Sequence, residues 1–126
     1  MKSAALIVSV AFGALMLGTE GVAAQSAAPT YQADADVYKV IFEDQNFRVI
    51  QATWKKGIHD KPHSYPLPSV VYSLTDCTLK ITEADGKSRE AKAKAGDARA
   101  APLVTQSHSA ENIGPADCSS LFVERK

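Results

Sequence analysis

Residues 57–65 read GIHDKPHSY, and residues 96–112 read GDARAAPLVTQSHSAEN. Each stretch begins with a glycine, which suits a tight turn because it accepts positive φ. Each then delivers a histidine after an extended run. Two histidines that reach one cavity from distant strands form the start of a metal or acid–base site. The two stretches therefore predict strands that bring His63 and His108 together.

The residues around these stretches predict short strands joined by turns. Segment 87–94 is rich in Ala and Lys and would also suit a helix, but the preceding Asp85-Gly86 is a strong hairpin signal and favours a strand. No segment of ten residues beyond residue 24 carries a clean helical stripe. The chain is therefore predicted to be a single all-β domain, a sandwich or a barrel. The predicted strands are 37–42, 47–54, 69–75, 78–82, 87–94, 108–113 and 119–124.

The N-terminal region has the pattern of a targeting segment. Lys2 supplies a basic start, residues 4–17 are almost entirely apolar, and residues 22–24 are the small residues that a signal peptidase reads. This predicts a signal peptide over residues 1–24, with cleavage before Gln25 and a periplasmic or secreted mature protein. An uncleaved N-terminal anchor is the alternative.

Composition limits the partners of the mature chain. The full sequence has 14 basic and 14 acidic residues, and removal of Lys2 and Glu20 with the signal peptide leaves the charge balanced. There is no basic stripe, so nucleic acid is not predicted as a partner. Residues 25–36, rich in Ala, Ser, Pro and Asp, predict a flexible tail, which leaves 37–126 as the folded domain. The mature form is not expected to bind a membrane, and a homodimer is left open. Trp54 and Tyr72 are interpreted as core residues.

The two cysteines, Cys77 and Cys118, form an even pair. Export to an oxidising compartment makes a disulfide the default for such a pair, and two buried thiols are the alternative. Neither cysteine stands in a C-x-x-C spacing, so a structural zinc site or a thioredoxin-type centre has little support.

An all-β chain with these two half-motifs resembles the cupin superfamily, and the resemblance covers residues 37–126. The closing stretches 108–114 and 121–126 look like the second motif and the last strand of small single-domain cupins. The resemblance implies a jelly-roll β-barrel. It also implies a metal site built from two histidines and a glutamate of the first motif and one histidine of the second.

Carried over residue by residue, the first motif matches at Gly57 and His63. Tyr65 stands where the second histidine is expected, and the expected acid falls at Ser69 or Val70. A neutral phenol is a poor ligand, and catalytic zinc normally has three protein ligands. The first motif therefore predicts weak metal binding at most.

The second motif matches at Gly96, Pro102 and Asn112, with Asn112 in a structural role. His108 matches with one extra residue after Pro102. The resemblance also places the strand that follows the first motif beside the last strand, which implies that the two cysteines meet.

These observations lead to three hypotheses for the function. The first is an exported cupin-like protein that binds a small polar molecule in the barrel, lined by His63, Tyr65 and His108. The second is a metal-dependent cupin enzyme, an oxygenase or isomerase, that holds a weakly bound divalent metal through His63 and His108. The third is a structural or interaction role with a filled barrel, in which His63 is a loop residue or His108 holds a strand end.

Overall fold

In the computed structural model, residues 27–126 are described, and within them the chain forms nine strands and one short helix. A five-stranded sheet has the order β1-β2-β9-β4-β7 and faces a four-stranded sheet of order β3-β8-β5-β6. All strand pairs within the sheets are antiparallel, and the arrangement is the predicted jelly roll. The elements are α1 (Thr30–Ala33), β1 (Tyr38–Glu43), β2 (Phe47–Trp54), β3 (His63–Tyr65), β4 (Ser69–Ser73), β5 (Cys77–Thr82), β6 (Ser88–Ala93), β7 (Ala98–Ala101), β8 (Val104–Asn112) and β9 (Cys118–Arg125).

The core lies between the two sheets because successive side chains of a strand point to opposite faces. In β2, the buried residues Ile50, Ala52 and Trp54 alternate with partly exposed ones. In β4, Val71 faces the core, whereas Tyr72 is 43% exposed on the outer face. The prediction of a core position is therefore confirmed for Trp54 and wrong for Tyr72, whose parity places it outside.

The long connection between β2 and β3 is attached to the end of β8. Gly57 adopts a positive φ of 78° and donates its N–H to the Asn112 carbonyl. The Asn112 amide donates to the carbonyls of Trp54 and Ala116, and its oxygen accepts from the N–H of Gly114. One asparagine thus ties the end of β2 to the loop after β8, which positions the start of the loop that carries His63.

A disulfide links Cys77 and Cys118, as predicted, with 5.2 Å between the two Cα atoms. The predicted reason differs from the observed one. The strand after the first motif, β4, does pair with β9, but β4 ends at Ser73, and Cys77 begins β5 in the opposite sheet. The bridge therefore connects the two sheets across the core instead of joining neighbouring strands.

The described part of the predicted tail is attached to the barrel, so the structure differs from the prediction over residues 27–36. Ser64 donates its N–H to Ala28 O at 2.9 Å and its hydroxyl to Ala27 O at 2.7 Å. Thr30 is only 2% exposed, and the Asp34 carboxylate accepts from the Lys61 N–H. The segment satisfies backbone groups at the edge of β3, which its polar composition does not reveal.

The predicted signal peptide, residues 1–24, lies outside the described residues. Among residues 27–126, no helix has the length and apolar character needed to cross a membrane.

Candidate functional site

The barrel brings together the three residues that the sequence predicts for the site. His63 of β3 lies directly opposite His108 of β8, and their ring centroids are 4.5 Å apart. The Tyr65 ring lies 4.4 Å from the His108 ring and 5.4 Å from the His63 ring, centroid to centroid. The three rings pack directly on one another, with no space between the two imidazoles for a ligand.

The three residues occupy different environments. Tyr65 and His108 line a cavity, whereas His63 is fully buried behind them and does not reach its wall. The Nδ1 atom of His63 is 2.8 Å from the Lys61 carbonyl, and its Nε2 atom is 3.4 Å from the Tyr38 hydroxyl. Burial raises the pKa of the Tyr65 phenol, so Tyr65 is neutral at physiological pH. His63 therefore supports the cavity wall but is not part of it.

Asp60 is a buried carboxylate that the sequence analysis did not single out. Its Oδ2 accepts hydrogen bonds from the Tyr38 hydroxyl at 2.7 Å and from Trp54 Nε1 at 2.8 Å. Its Oδ1 accepts from the N–H of Ala110 at 2.7 Å and lies 3.7 Å from Nδ1 of His63. We call Tyr38, Trp54, Asp60 and His63 the Asp60 cluster.

The Asp60 cluster is a group of hydrogen-bonded polar atoms enclosed by aromatic side chains. Burial raises the pKa of Tyr38 well above its usual range, with Tyr65 and Asp60 adding to the rise, so Tyr38 remains a hydroxyl donor. A buried Trp needs an acceptor for its N–H. Because Trp54 was predicted to lie in the core, its N–H indicated that a buried acceptor lies nearby. The sequence does not show which of the aspartates provides that acceptor.

A cavity of about 90 Å³ lies between the sheets, beside the edge strands β6 and β7. The two strands place alanines towards it, Ala91 and Ala93 from β6 and Ala101 from β7, where larger side chains would fill the space. Apolar walls come from the neighbouring strands, including Leu79 and Phe122. The cavity exists because two adjacent edge strands combine small inward residues.

Two buried polar side chains of the cavity wall have no hydrogen-bond partner among residues 27–126. They are His108, at both ring nitrogens, and Ser73, at its hydroxyl oxygen. His108 is 4% exposed and Ser73 is fully buried. Burial lowers the pKa of His108, and the adjacent His63 lowers it further. These effects outweigh the opposite influence of the Gln106 backbone, Glu83 and Asp60, so the ring is neutral at pH 7. A neutral imidazole offers one donor and one acceptor.

The donor set does not fit a tightly bound metal. His63 directs both nitrogens to protein oxygens, and Tyr65 is a neutral phenol. Val70, one of the two positions at which the sequence analysis places the missing acid, is 48% exposed on the outer face of β4. Within the described part of the chain, no group of three His, Cys, Asp or Glu side chains is arranged to hold an ion.

A larger and more open depression, of about 500 Å³, lies where β5 and β6 meet the loop after β8. Lys94 Nζ is 3.4 Å from Asp76 Oδ2, and Asp97 accepts from the Lys94 backbone N–H. Both partners of the ion pair are mostly exposed, and exposed pairs are well solvated. Among residues 27–126, none of the buried polar atoms that lack a hydrogen-bond partner belongs to this depression, so the barrel cavity is the better candidate.

Solved structures of similar shape are cupin-type domains. A cupin domain from Bordetella pertussis Tohama I has a TM-score of 0.65 and 17% identity, over 84% of this chain and 99% of that one. A double-stranded β-helix protein from Klebsiella pneumoniae has a TM-score of 0.56 and 21% identity, over 71% and 75% of the two chains. A cupin 2 conserved barrel protein from Salinispora arenicola has a TM-score of 0.51 and 16% identity, over 72% and 76%.

No protein-family profile matches the sequence, and no curated protein does. The structural likeness confirms the cupin fold that the sequence predicts. At these identities the likeness extends to the fold alone. The function must therefore be argued from the cavity and its side chains.

Proposed function

We propose that this chain is an exported cupin-fold protein that binds a small polar molecule in the barrel cavity, without depending on a metal. One observation carries the proposal: His108 and Ser73 face the same cavity with no hydrogen-bond partner among the described residues. An unsatisfied buried polar group costs about 1–3 kcal/mol, so two in one cavity wall are costly unless a bound molecule pairs with them. A bound molecule that supplies both missing partners recovers that free energy.

The cavity specifies the chemistry of such a molecule. Neutral His108 and the Ser73 hydroxyl each donate and accept, so the ligand needs a group such as a hydroxyl, carbonyl or amide. Walls such as Leu79 and Phe122 favour an apolar body next to that group. The volume of about 90 Å³ is well below that of a drug-sized site, so the ligand has few non-hydrogen atoms.

Export rests on the signal-peptide pattern of residues 1–24 and is supported by the disulfide. A disulfide persists in oxidising compartments and is rare in the cytosol of ordinary cells.

The proposal is tested by titrating the protein, with its histidine rings labelled with ¹⁵N, with acetamide, ethanol, acetate and glycolate. We expect at least one probe to give a saturable shift of the His108 ring nitrogens. The variant Ala91→Leu should abolish that shift because it fills the cavity from β6. The matched control Ala98→Leu adds the same volume on exposed β7 surface and should leave it unchanged.

Two results would contradict the proposal. The first is that no probe perturbs His108, or that Ala91→Leu responds like the parent. The second is that purified protein retains one equivalent of iron, manganese or zinc after dialysis. That second result would favour the alternative, a metal-dependent cupin enzyme that uses His63 and His108.

A further inference from the structure

The outer end of the cavity carries charged side chains, in addition to the neutral hydrogen-bonding groups at its inner end. Arg89 lies on β6 and Arg99 on β7, each two residues along its strand from a cavity-lining alanine, Ala91 and Ala101. Residues two apart in a strand point to the same side. The two guanidinium-bearing side chains therefore stand on either side of the cavity, between the two edge strands.

The charges at this end do not cancel. Arg89 Nε lies 3.5 Å from Glu83 Oε1, and Glu83 also lines the cavity. Arg99 forms no ion pair with any residue in the described range 27–126. Two guanidiniums facing one carboxylate leave one positive charge in excess. His108, held neutral by burial, adds no charge at the inner end.

The positive field extends to the inner residues. Both guanidiniums act on the Tyr65 phenol and offset part of the rise in pKa that burial causes. The arginines and the buried wall of the cavity therefore belong to one electrostatic environment. Both arginines are exposed to solvent, so their field at the cavity is screened by salt.

We propose that the ligand of this cavity is a small carboxylate that carries a second hydrogen-bonding group. This inference rests on the proposed function. Its carboxylate lies at the outer end against Arg99, with Arg89 beside it, because a guanidinium presents paired donors that match a carboxylate. Its second group, a hydroxyl or a carbonyl, lies at the inner end and supplies the partners that His108 and Ser73 lack. The alanines of β6 and β7 leave room for the carbon atoms between the two groups.

Matched acid and amide pairs test this assignment. Glycolate, 3-hydroxypropionate and 4-hydroxybutyrate would be titrated beside glycolamide, 3-hydroxypropionamide and 4-hydroxybutyramide, which keep the shape and lose the charge. The readouts are the His108 ring shift and the dissociation constant from isothermal titration calorimetry, which also measures variants that lack His108. We expect at least one acid to bind about tenfold more tightly than its amide, as a charge-assisted hydrogen bond provides. That preference should weaken as salt is raised.

Variants then locate the charge that discriminates. Arg99→Gln should remove the preference for the acid and leave amide binding near the parental level. Lys80→Gln deletes one positive charge on the exposed face of β5 and should leave the preference intact. His108→Phe should weaken the acid and the amide alike, because it removes the contact at the inner end.

The outcomes separate this inference from the proposed function. If acids and amides bind equally, or if Arg99→Gln keeps the full preference, the carboxylate assignment is overturned and a polar-ligand site remains. If neither an acid nor its amide perturbs His108 in the parent protein, the proposed function fails and the carboxylate assignment fails with it.

Discussion

The Asp60 cluster and the cavity wall are two polar regions inside the same barrel, and they differ in how their polar atoms are satisfied. Asp60 accepts three hydrogen bonds, from a hydroxyl, an indole and a backbone N–H, and stands next to His63. His108 touches the His63 ring, yet neither of its nitrogens has a partner among the described residues. The two adjacent histidines thus differ: His63 completes the interior, and His108 is the residue that we propose to bind a ligand.

The density of side-chain packing also differs between the Asp60 cluster and the cavity wall. Around Asp60 the side chains are large, and the Tyr38 and Trp54 rings meet edge to face at 5.4 Å between centroids. Around His108 the neighbouring edge strands contribute Ala91 and Ala101, and space remains. Dense packing and complete hydrogen bonding go together because a void next to a polar atom leaves it without partners.

The largest expected effect on stability comes from disrupting the Asp60 cluster. Asp60→Ala removes the acceptor for three buried donors and the negative charge beside His63. Removing one member of a buried network of this kind costs about 3–5 kcal/mol. The free energy of unfolding, measured by urea titration, should fall by that amount.

The control for Asp60 is Asp36→Ala, since Asp36 is exposed. Its substitution should change the free energy of unfolding by less than about 0.5 kcal/mol. An Asp60 variant as stable as the Asp36 variant would show that the cluster does not stabilise the fold, and the contrast between the two regions would be lost.

A smaller effect separates the two histidines. His63→Phe loses the hydrogen bond between Nδ1 and the Lys61 carbonyl and should destabilise the protein by about 1–3 kcal/mol. His108→Phe loses no hydrogen bond within the described chain, and replacing an unsatisfied polar ring by an apolar one of similar shape should be neutral or stabilising. Thermal unfolding of the two variants in the absence of ligand gives the comparison. Equal losses would argue that His108 is also a structural residue.

The smallest expected effect is a dependence of stability on pH. Burial and His63 lower the pKa of His108 below its ordinary value of about 6.5. Between the lowered pKa and about 6.5 the unfolded chain binds a proton here that the folded chain does not, so stability falls as the pH falls through this window. The parent protein should lose more stability than His108→Phe between about pH 7.5 and pH 5. Parallel pH curves would contradict the assignment.

Much of the fold could be predicted from the sequence, because alternation and turn residues are local signals. The strand predicted at 47–54 coincides with β2, and the strand after Asp85-Gly86 is present as β6. Strand β7 was missed because Ala98–Ala101 carries little β propensity and exists through its pairing with β4. Tyr72 was misplaced because an aromatic residue in an apolar strand does not reveal which face is inner.

The site could be predicted only in part. The two glycine-led stretches indicated that His63 and His108 converge, and they face each other across β3 and β8. The sequence could not show that His108 lines the cavity whereas His63 lies behind its wall, because this depends on which side chains lie between each ring and the cavity. Asp60 was missed because its role depends on hydrogen-bond partners that are distant in sequence. Ser73 was missed because only the fold shows that its buried hydroxyl lacks a partner among the described residues.

The attachment of residues 27–34 to the barrel changes what counts as the autonomous folding unit. A fragment cut at residue 37, where composition would set the boundary, loses the carbonyls that receive the Ser64 N–H and hydroxyl, and the carboxylate that receives the Lys61 N–H. The Lys61 carbonyl in turn holds the His63 ring. Residues 27–34 therefore help to position the imidazole that lies behind the cavity wall. Removing these residues is expected to change the position of His63 in the interior, although none of the removed residues belongs to the site.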